Sequence, residues 1–151
     1  MKGDDMQQAV TARTPVHLWI VGILSLLWNC FGCLDYTLTN LKNAAWLAQM
    51  TPDQIAYMDS LPSWLTAFWA FGVWGGLVGS ILLLMRNRRS VLAFAISCIG
   101  AVVGLGYQIF ITKMPDSMKA GGMGLMPWVI ILITIFLLWY AWTQEKKGVL
   151  H

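Results

Sequence analysis

Runs of apolar residues, broken by short charged clusters, organise this chain, and the spacing of the breaks predicts helices that cross a membrane. Four stretches carry no formal charge when His is counted neutral: residues 17–34, 64–85, 91–112 and 127–144. They are 18, 22, 22 and 18 residues long, and a helix needs roughly 20 apolar residues to cross about 30 Å of hydrocarbon. A segment in lipid must satisfy its own N–H and C=O groups, and no period-two alternation runs through these stretches, so helices are expected rather than barrel strands. The expected fold is an all-α, four-transmembrane-helix bundle. Residues 1–16 read as a mobile cytoplasmic tail, 17–144 as a single transmembrane domain and 145–151 as a short cytoplasmic C-terminal tail. The first stretch is too long for the apolar core of a removable signal peptide, and no small-x-small cleavage pattern follows it.

Composition excludes a soluble domain. Hydrophobic residues make up 58% of the chain and charged residues 11%, too few charges to cover a water-facing surface. Nine Trp, four Tyr and six Phe exceed what one core in a chain of this size buries. The first partner is therefore the lipid bilayer. Basic residues set orientation because they are retained in the cytoplasm. Lys2, Arg13, Arg86, Arg88, Arg89, Lys146 and Lys147 fall on one side and only Lys42, Lys113 and Lys119 on the other. The expectation is a multi-pass inner-membrane protein with both termini cytoplasmic. No basic face is left for nucleic acid. Trp19, Trp139 and Trp142 fall near the cytoplasmic ends of their stretches and Trp64 and Trp128 near the outer ends, as interfacial rings do.

Small residues predict how the helices pair. Gly72, Gly76 and Ser80 recur at four-residue spacing, with Gly75 and Gly79 on the adjoining stripe, and Ser97, Gly100, Ala101 and Gly104 line the third stretch. Such spacing lets helix backbones approach where lipid removes the hydrophobic drive. Because residues 86–90 suffice only to reverse the chain, helices two and three should form a tight antiparallel hairpin; a homo-oligomer contact is the other use of these glycines. The first outer loop carries Met50-Thr51-Pro52-Asp53-Gln54-Ile55. Thr51 as N-cap, Pro52 at the first helical position, Gln54 completing a capping box and Met50 stapling onto Ile55 predict a short interfacial helix ending near Pro62. Leu41, Ala45 and Ala48 suggest a further helical turn before it.

Polar residues within the apolar stretches are the candidate functional groups, since a polar group in lipid persists when it is satisfied or useful. Ser25, Asn29, Gly32 and Tyr36 share one face of helix one at helical spacing. Asp35 lies near the outer interface. It reads either as an interfacial carboxylate held by Lys42, Lys113, Tyr107 or a backbone donor, or as part of a solute or proton site. Tyr107 and Gln108 reach similar depth on helix three. Asn29, Asp35, Tyr36, Trp69, Tyr107 and Gln108, with Trp64, are the candidate lining of an outward-open cavity whose hydrogen-bonding groups and flat rings suit a small hydroxylated solute.

These residues also carry a resemblance. The runs His17-Leu18-Trp19-Ile20-Val21-Gly22, Trp28-Asn29, Asp35-Tyr36, Thr51-Pro52-Asp53-Gln54 and Phe71-Gly72-Val73-Trp74-Gly75-Gly76 resemble small proteobacterial inner-membrane proteins often labelled sugar transporters. The resemblance covers helices one and two with their loop, and implies transport of a sugar-like solute; no enzymatic activity is expected from the residues. It brings no motif of substrate residues.

Two further clusters point elsewhere. Cys30-x-x-Cys33 is open to thiol–quinone chemistry or to plain packing. Met114, Met118, Met123 and Met126, among Gly121, Gly122 and Gly124, suit either the soft ion Cu(I) or a flexible, interface-wetting loop. A non-catalytic accessory or structural role is a further reading. With His only at positions 17 and 151, neither a His-metal site nor a Ser-His pair is expected, and no bound cofactor is implied.

Overall fold

Seven α-helices and one 3-10 turn account for the regular structure of residues 13–151, the part of the chain that the computed structural model describes, and no strand occurs among them. In chain order they are α1 (Val16–Asn40), α2 (Ala44–Leu47), α3 (Pro52–Ser60), α4 (Ser63–Leu84), α5 (Ser90–Phe110), α6 (Asp116–Lys119), the 3-10 turn Gly121–Leu125 and α7 (Met126–Lys146). The helices α1, α4 and α5 and the segment Gly121–Lys146 are each long and apolar enough to cross a membrane. The fold is all-α, a four-helix membrane protein with short helices in the long loop between α1 and α4. Lys2, Asp4 and Asp5, with most of the tail expected at 1–16, lie outside the described residues.

The first helix is longer than its apolar run. It continues six residues beyond Leu34 to Asn40, because the polar side chains there turn back on their own helix. Thr37 Oγ1 donates to the Cys33 carbonyl at 2.7 Å and Asn40 Nδ2 to the Tyr36 carbonyl at 2.8 Å. At 25 residues the helix is about 37 Å long at 1.5 Å per residue. Its end is a left-handed cap: Lys42 has φ 52°, and the Asn43 N–H reaches the Leu38 carbonyl at 3.0 Å. The same device ends α4 at Arg86 (φ 56°) and α7 at Gly148 (φ 71°), with Asn87 bonded to Leu82 and Val149 to Gln144. Glycine takes this conformation without strain; Lys42 and Arg86 hold it despite a Cβ.

Helix α4 is the centre of the bundle, with α1 on one flank and α5 on the other. On the α5 side, a Cβ at Gly100 would lie 2.6 Å from both the Gly72 nitrogen and the Phe68 carbonyl oxygen, and one at Gly75 would lie 3.0 Å from the Ser97 nitrogen. Backbone meets backbone there, and Ser97 Oγ bridges the helices by donating to the Gly72 carbonyl at 2.6 Å. Gly79 receives the Phe94 ring, and Gly104 faces Phe68. This is the tight α4–α5 hairpin expected from the glycine spacing. Gly76 and Ser80 do something else. At about 100° per residue they fall on the opposite flank from Gly75, and they receive Asn29 of α1.

The end of the bundle that gathers residues 13–17, 86–90 and 146–151 is the better packed. Leu18, Leu83, Phe94, Leu137, Tyr140 and Ala141 form its core with Val149 and Leu150. The segment expected as a tail therefore folds back under the helices, and the His151 N–H donates to the Arg86 carbonyl at 2.9 Å. His17 Nδ1 meets the Tyr140 hydroxyl, and Arg86 donates to Thr14 Oγ1 at 2.6 Å. Ser90 Oγ and Gln144 Oε1 are buried here without a protein hydrogen bond among the described residues. The buried residues of α7 run from Thr134 to Gln144, and its first two turns hold none.

Candidate functional site

The opposite end of the bundle holds five of the six candidate ligand-binding residues, and α4 divides them. Asp35 and Tyr36 project from α1, Trp69 from α4, and Tyr107 and Gln108 from α5. Tyr36 and Trp69 meet edge to face, ring centres 5.1 Å apart, between α1 and α4. Tyr107 packs the same way on Trp64, at 5.0 Å, between α4 and α5. Gln108 Nε2 turns to the Gly104 carbonyl of its own helix at 3.4 Å. Asn29 lies deeper and is buried: its Nδ2 donates to the Ser25 carbonyl at 2.8 Å and to Ser80 Oγ at 3.3 Å, while Ser80 donates to the Gly76 carbonyl at 2.8 Å. Asn29 and Tyr36 thus meet the α1-facing side of α4, whereas Tyr107 packs on its α5-facing side.

Asp35 is half-buried, and its partners are not the cations or the tyrosine expected from the sequence. The Trp46 indole N–H donates to Oδ1 at 3.0 Å and the Thr39 hydroxyl donates to the same atom at 3.3 Å. Lys42 is committed to Asp59 at 3.0 Å, an exposed pair of the kind that contributes little. Trp46 is positioned by α2, whose first turn is capped by Asn43 Oδ1 accepting from the Trp46 N–H at 3.1 Å. Its ring also leans on Phe31, with centres 6.2 Å apart. The signal that could have found it is chemical: a tryptophan in a loop packed on a helix needs an acceptor for its N–H, and Asp35 is the carboxylate nearest the end of α1.

The two long loops lock together over this end. In α3 the Gln54 side chain accepts the Thr51 N–H at 3.1 Å, as a capping box requires, while the Thr51 hydroxyl donates to Asp53. The other Asp53 oxygen accepts from Ser117 Oγ at 2.5 Å. These hydroxyl donors, Ser117 first, hold the Asp53 carboxyl below its ordinary pKa. The hydroxyl of Tyr57, the buried residue of α3, donates to Thr112 Oγ1 at 2.6 Å, and Thr112 in turn donates to the Gln108 carbonyl at 2.7 Å. A cleft of about 70 Å³ lies beneath α3, lined by Thr39, Lys42, Leu47, Ile55, Met58 and Asp59. None of the six candidate residues lines it.

The remaining clusters separate. Cys33 is buried and its thiol donates to the Val73 carbonyl at 3.4 Å, whereas Cys30 is exposed on the outside of α1. Met114 and Met118 are half-buried in the second loop, and Met123 and Met126 are exposed. Among the described residues no three His, Cys, Asp or Glu side chains gather as metal ligands. Comparison of the chain with protein-family models, curated proteins and solved structures finds no match.

Proposed function

We propose that this chain is a non-catalytic accessory membrane protein, acting by association within the bilayer. The observation that carries the reading is the use already made of its intramembrane polar groups. Asn29 is spent on Ser25 and Ser80, Gln108 on its own helix, and Asp35 on Trp46 and Thr39. With α4 between α1 and α5, these groups do not converge on a solute. The basic residues Arg13, Arg86, Arg88, Arg89, Lys146 and Lys147 cluster at the terminal end, which supports placing both termini on the cytoplasmic side of an inner membrane.

Gly72 and Gly76 are occupied within the chain, so a partner would use the outward faces. The test is mild-detergent purification followed by cross-linking from single cysteines at Leu27, Phe71, Ile99 and Leu132, each exposed. A defined adduct, with a second copy or with another protein, is the expected result; a monomer unreactive at all four positions would sink the reading.

A second reading keeps the sugar-like solute. Both hydrogen bonds to Asp35 fall on Oδ1, so Oδ2 has no hydrogen bond among the described residues, and the resemblance to proteins labelled sugar transporters supports the reading. Sugar uptake into proteoliposomes that Asp35→Asn abolishes would establish it; uptake equal to that of empty vesicles would remove it.

A further inference from the structure

We infer that the groove between α5 and α7 at the terminal end holds one anionic phospholipid, its acyl chain along the groove and its phosphate among the cations at the mouth. The groove is lined by Val91, Ile135, Leu138, Trp139 and Trp142 and is an open hollow of about 370 Å³, within the range of ligand-sized sites. Apart from the indole N–H groups its walls are hydrocarbon and aromatic ring, a surface suited to a lipid chain.

Charge selects the headgroup. Val91 is in the first turn of α5, directly after Arg88, Arg89 and Ser90, and Trp142 is in the penultimate turn of α7. Both groove walls thus end at the same basic rim. Lys146 Nζ sits 3.6 Å over the Trp142 ring, which fixes an ammonium group at the groove mouth by a cation–π contact. Arg88 and Arg89 are exposed, and none of these three cations is ion-paired among the described residues. Glu145 is the one carboxylate on the last turn of α7, so the rim is net positive. The start of α5 adds the partial positive charge of a helix N-terminus, although its first N–H groups are already bonded, Ser90 to the Asn87 carbonyl, Val91 to the Arg88 carbonyl and Arg89 to Asn87 Oδ1, so the side-chain cations carry the selection. A basic pocket between membrane helices beside an apolar groove is the arrangement that distinguishes an anionic from a zwitterionic lipid.

The test is native mass spectrometry of the full chain after delipidation, titrated with phosphatidylglycerol or phosphatidylcholine of identical acyl chains. The expected result is tighter retention of phosphatidylglycerol, weakened on the order of fivefold for each cation removed through Arg88→Ala, Arg89→Ala and Lys146→Ala, with phosphatidylcholine unaffected. Leu138→Trp, which fills the groove, should weaken both lipids. Equal retention of the two lipids by the natural chain overturns the inference, as does a triple variant that keeps the preference. Displacement by glycerol phosphate at the lipid's own concentration would show a headgroup site without the groove and overturn it too. A second measurement needs no variant: in nanodiscs, brominated-chain phosphatidylglycerol should quench more tryptophan emission than brominated phosphatidylcholine at equal mole fraction, and equal quenching counts against the site.

Discussion

Gly76 makes room for the Asn29 side chain of α1, and Gly76→Ala tests that fit. The added Cβ would lie 2.0 Å from Asn29 Oδ1, about 1.4 Å inside the 3.4 Å at which ordinary contact begins. Either α1 moves off α4 or the Asn29 side chain leaves its place. The second route is open because the clashing atom ends a side chain, but it sacrifices the 3.3 Å bond to Ser80. Overpacking a filled interface costs about 1–3 kcal/mol, and an interhelical hydrogen bond in a membrane protein about 0.6 kcal/mol, at most about 1.7. The expected loss is therefore about 2–4 kcal/mol. Gly100→Ala should cost more, since its Cβ would strike backbone at 2.6 Å and no rotamer can relieve that.

The assay is reversible unfolding in mixed micelles followed by helical circular dichroism, read as a double-mutant cycle with Asn29→Ala. Removing Asn29 removes the obstacle, so Gly76→Ala should cost at least about 1 kcal/mol less in that background. Gly106→Ala is the control: nothing lies within 4 Å of its Cβ, and gaining Ala for Gly in a helix should be neutral or slightly stabilising. Additive effects at Gly76 and Asn29 would falsify the proposed interlock.

Three other outcomes follow from single contacts. Trp46→Phe keeps the ring against Phe31 but deletes the N–H to Asp35; discounted for the half-exposed site, the cost should be about 1 kcal/mol, seen as faster hydrogen exchange over residues 41–49, with unchanged exchange as the contrary result. Because Asp53 has a lowered pKa in the folded chain, its contribution to the loop–loop contact is complete above the ordinary carboxylate pKa and is lost as pH falls through the lowered one. Ser117→Ala removes the leading cause, so the Asp53 carboxyl should titrate at higher pH by NMR, and an unmoved titration would refute the attribution. Leu150→Ala should cost about 2–5 kcal/mol in the same unfolding assay, as for a core leucine, because Leu150 is 4% exposed; a change near zero would mean that residues 148–151 do not dock in solution.

The four crossing helices were legible because charge stops a membrane span, and α3 was legible because Thr51, Pro52 and Gln54 each act within one turn of the helix they begin. Contacts between distant elements were less so. Spacing put Gly76 and Ser80 on the stripe expected to meet α5, whereas they receive Asn29 of α1. Hydropathy ended α1 at Leu34, whereas Thr37 and Asn40 satisfy themselves on its own carbonyls and carry it onward. The sequence offers Asp35 the partners Lys42, Lys113, Tyr107 or a backbone donor, yet a helix end packed under a loop is served as well by an indole N–H. The docking of Val149 and Leu150 had no sequence signal beyond two apolar residues after Gly148, the residue that turns the chain back.

These contacts also show where a partner would matter. Helix α7 is fixed through Leu137, Tyr140, Ala141 and Gln144, while Leu132 and Ile135 stay exposed at 65% and 47%. In lipid alone, an outward leucine meets acyl chains whether or not its side chain is shortened, so Leu132→Ala should cost about 0.5 kcal/mol or less. Leu137→Ala, by contrast, empties a packed site and should cost about 2 kcal/mol or more. The comparison discriminates because both changes remove the same atoms from one helix. If a second copy covers the outer face of α7, Leu132→Ala should approach Leu137→Ala in cost, and its effect should grow with the protein-to-detergent ratio. A small cost independent of that ratio would confine the association proposed above to the faces of α1, α4 and α5.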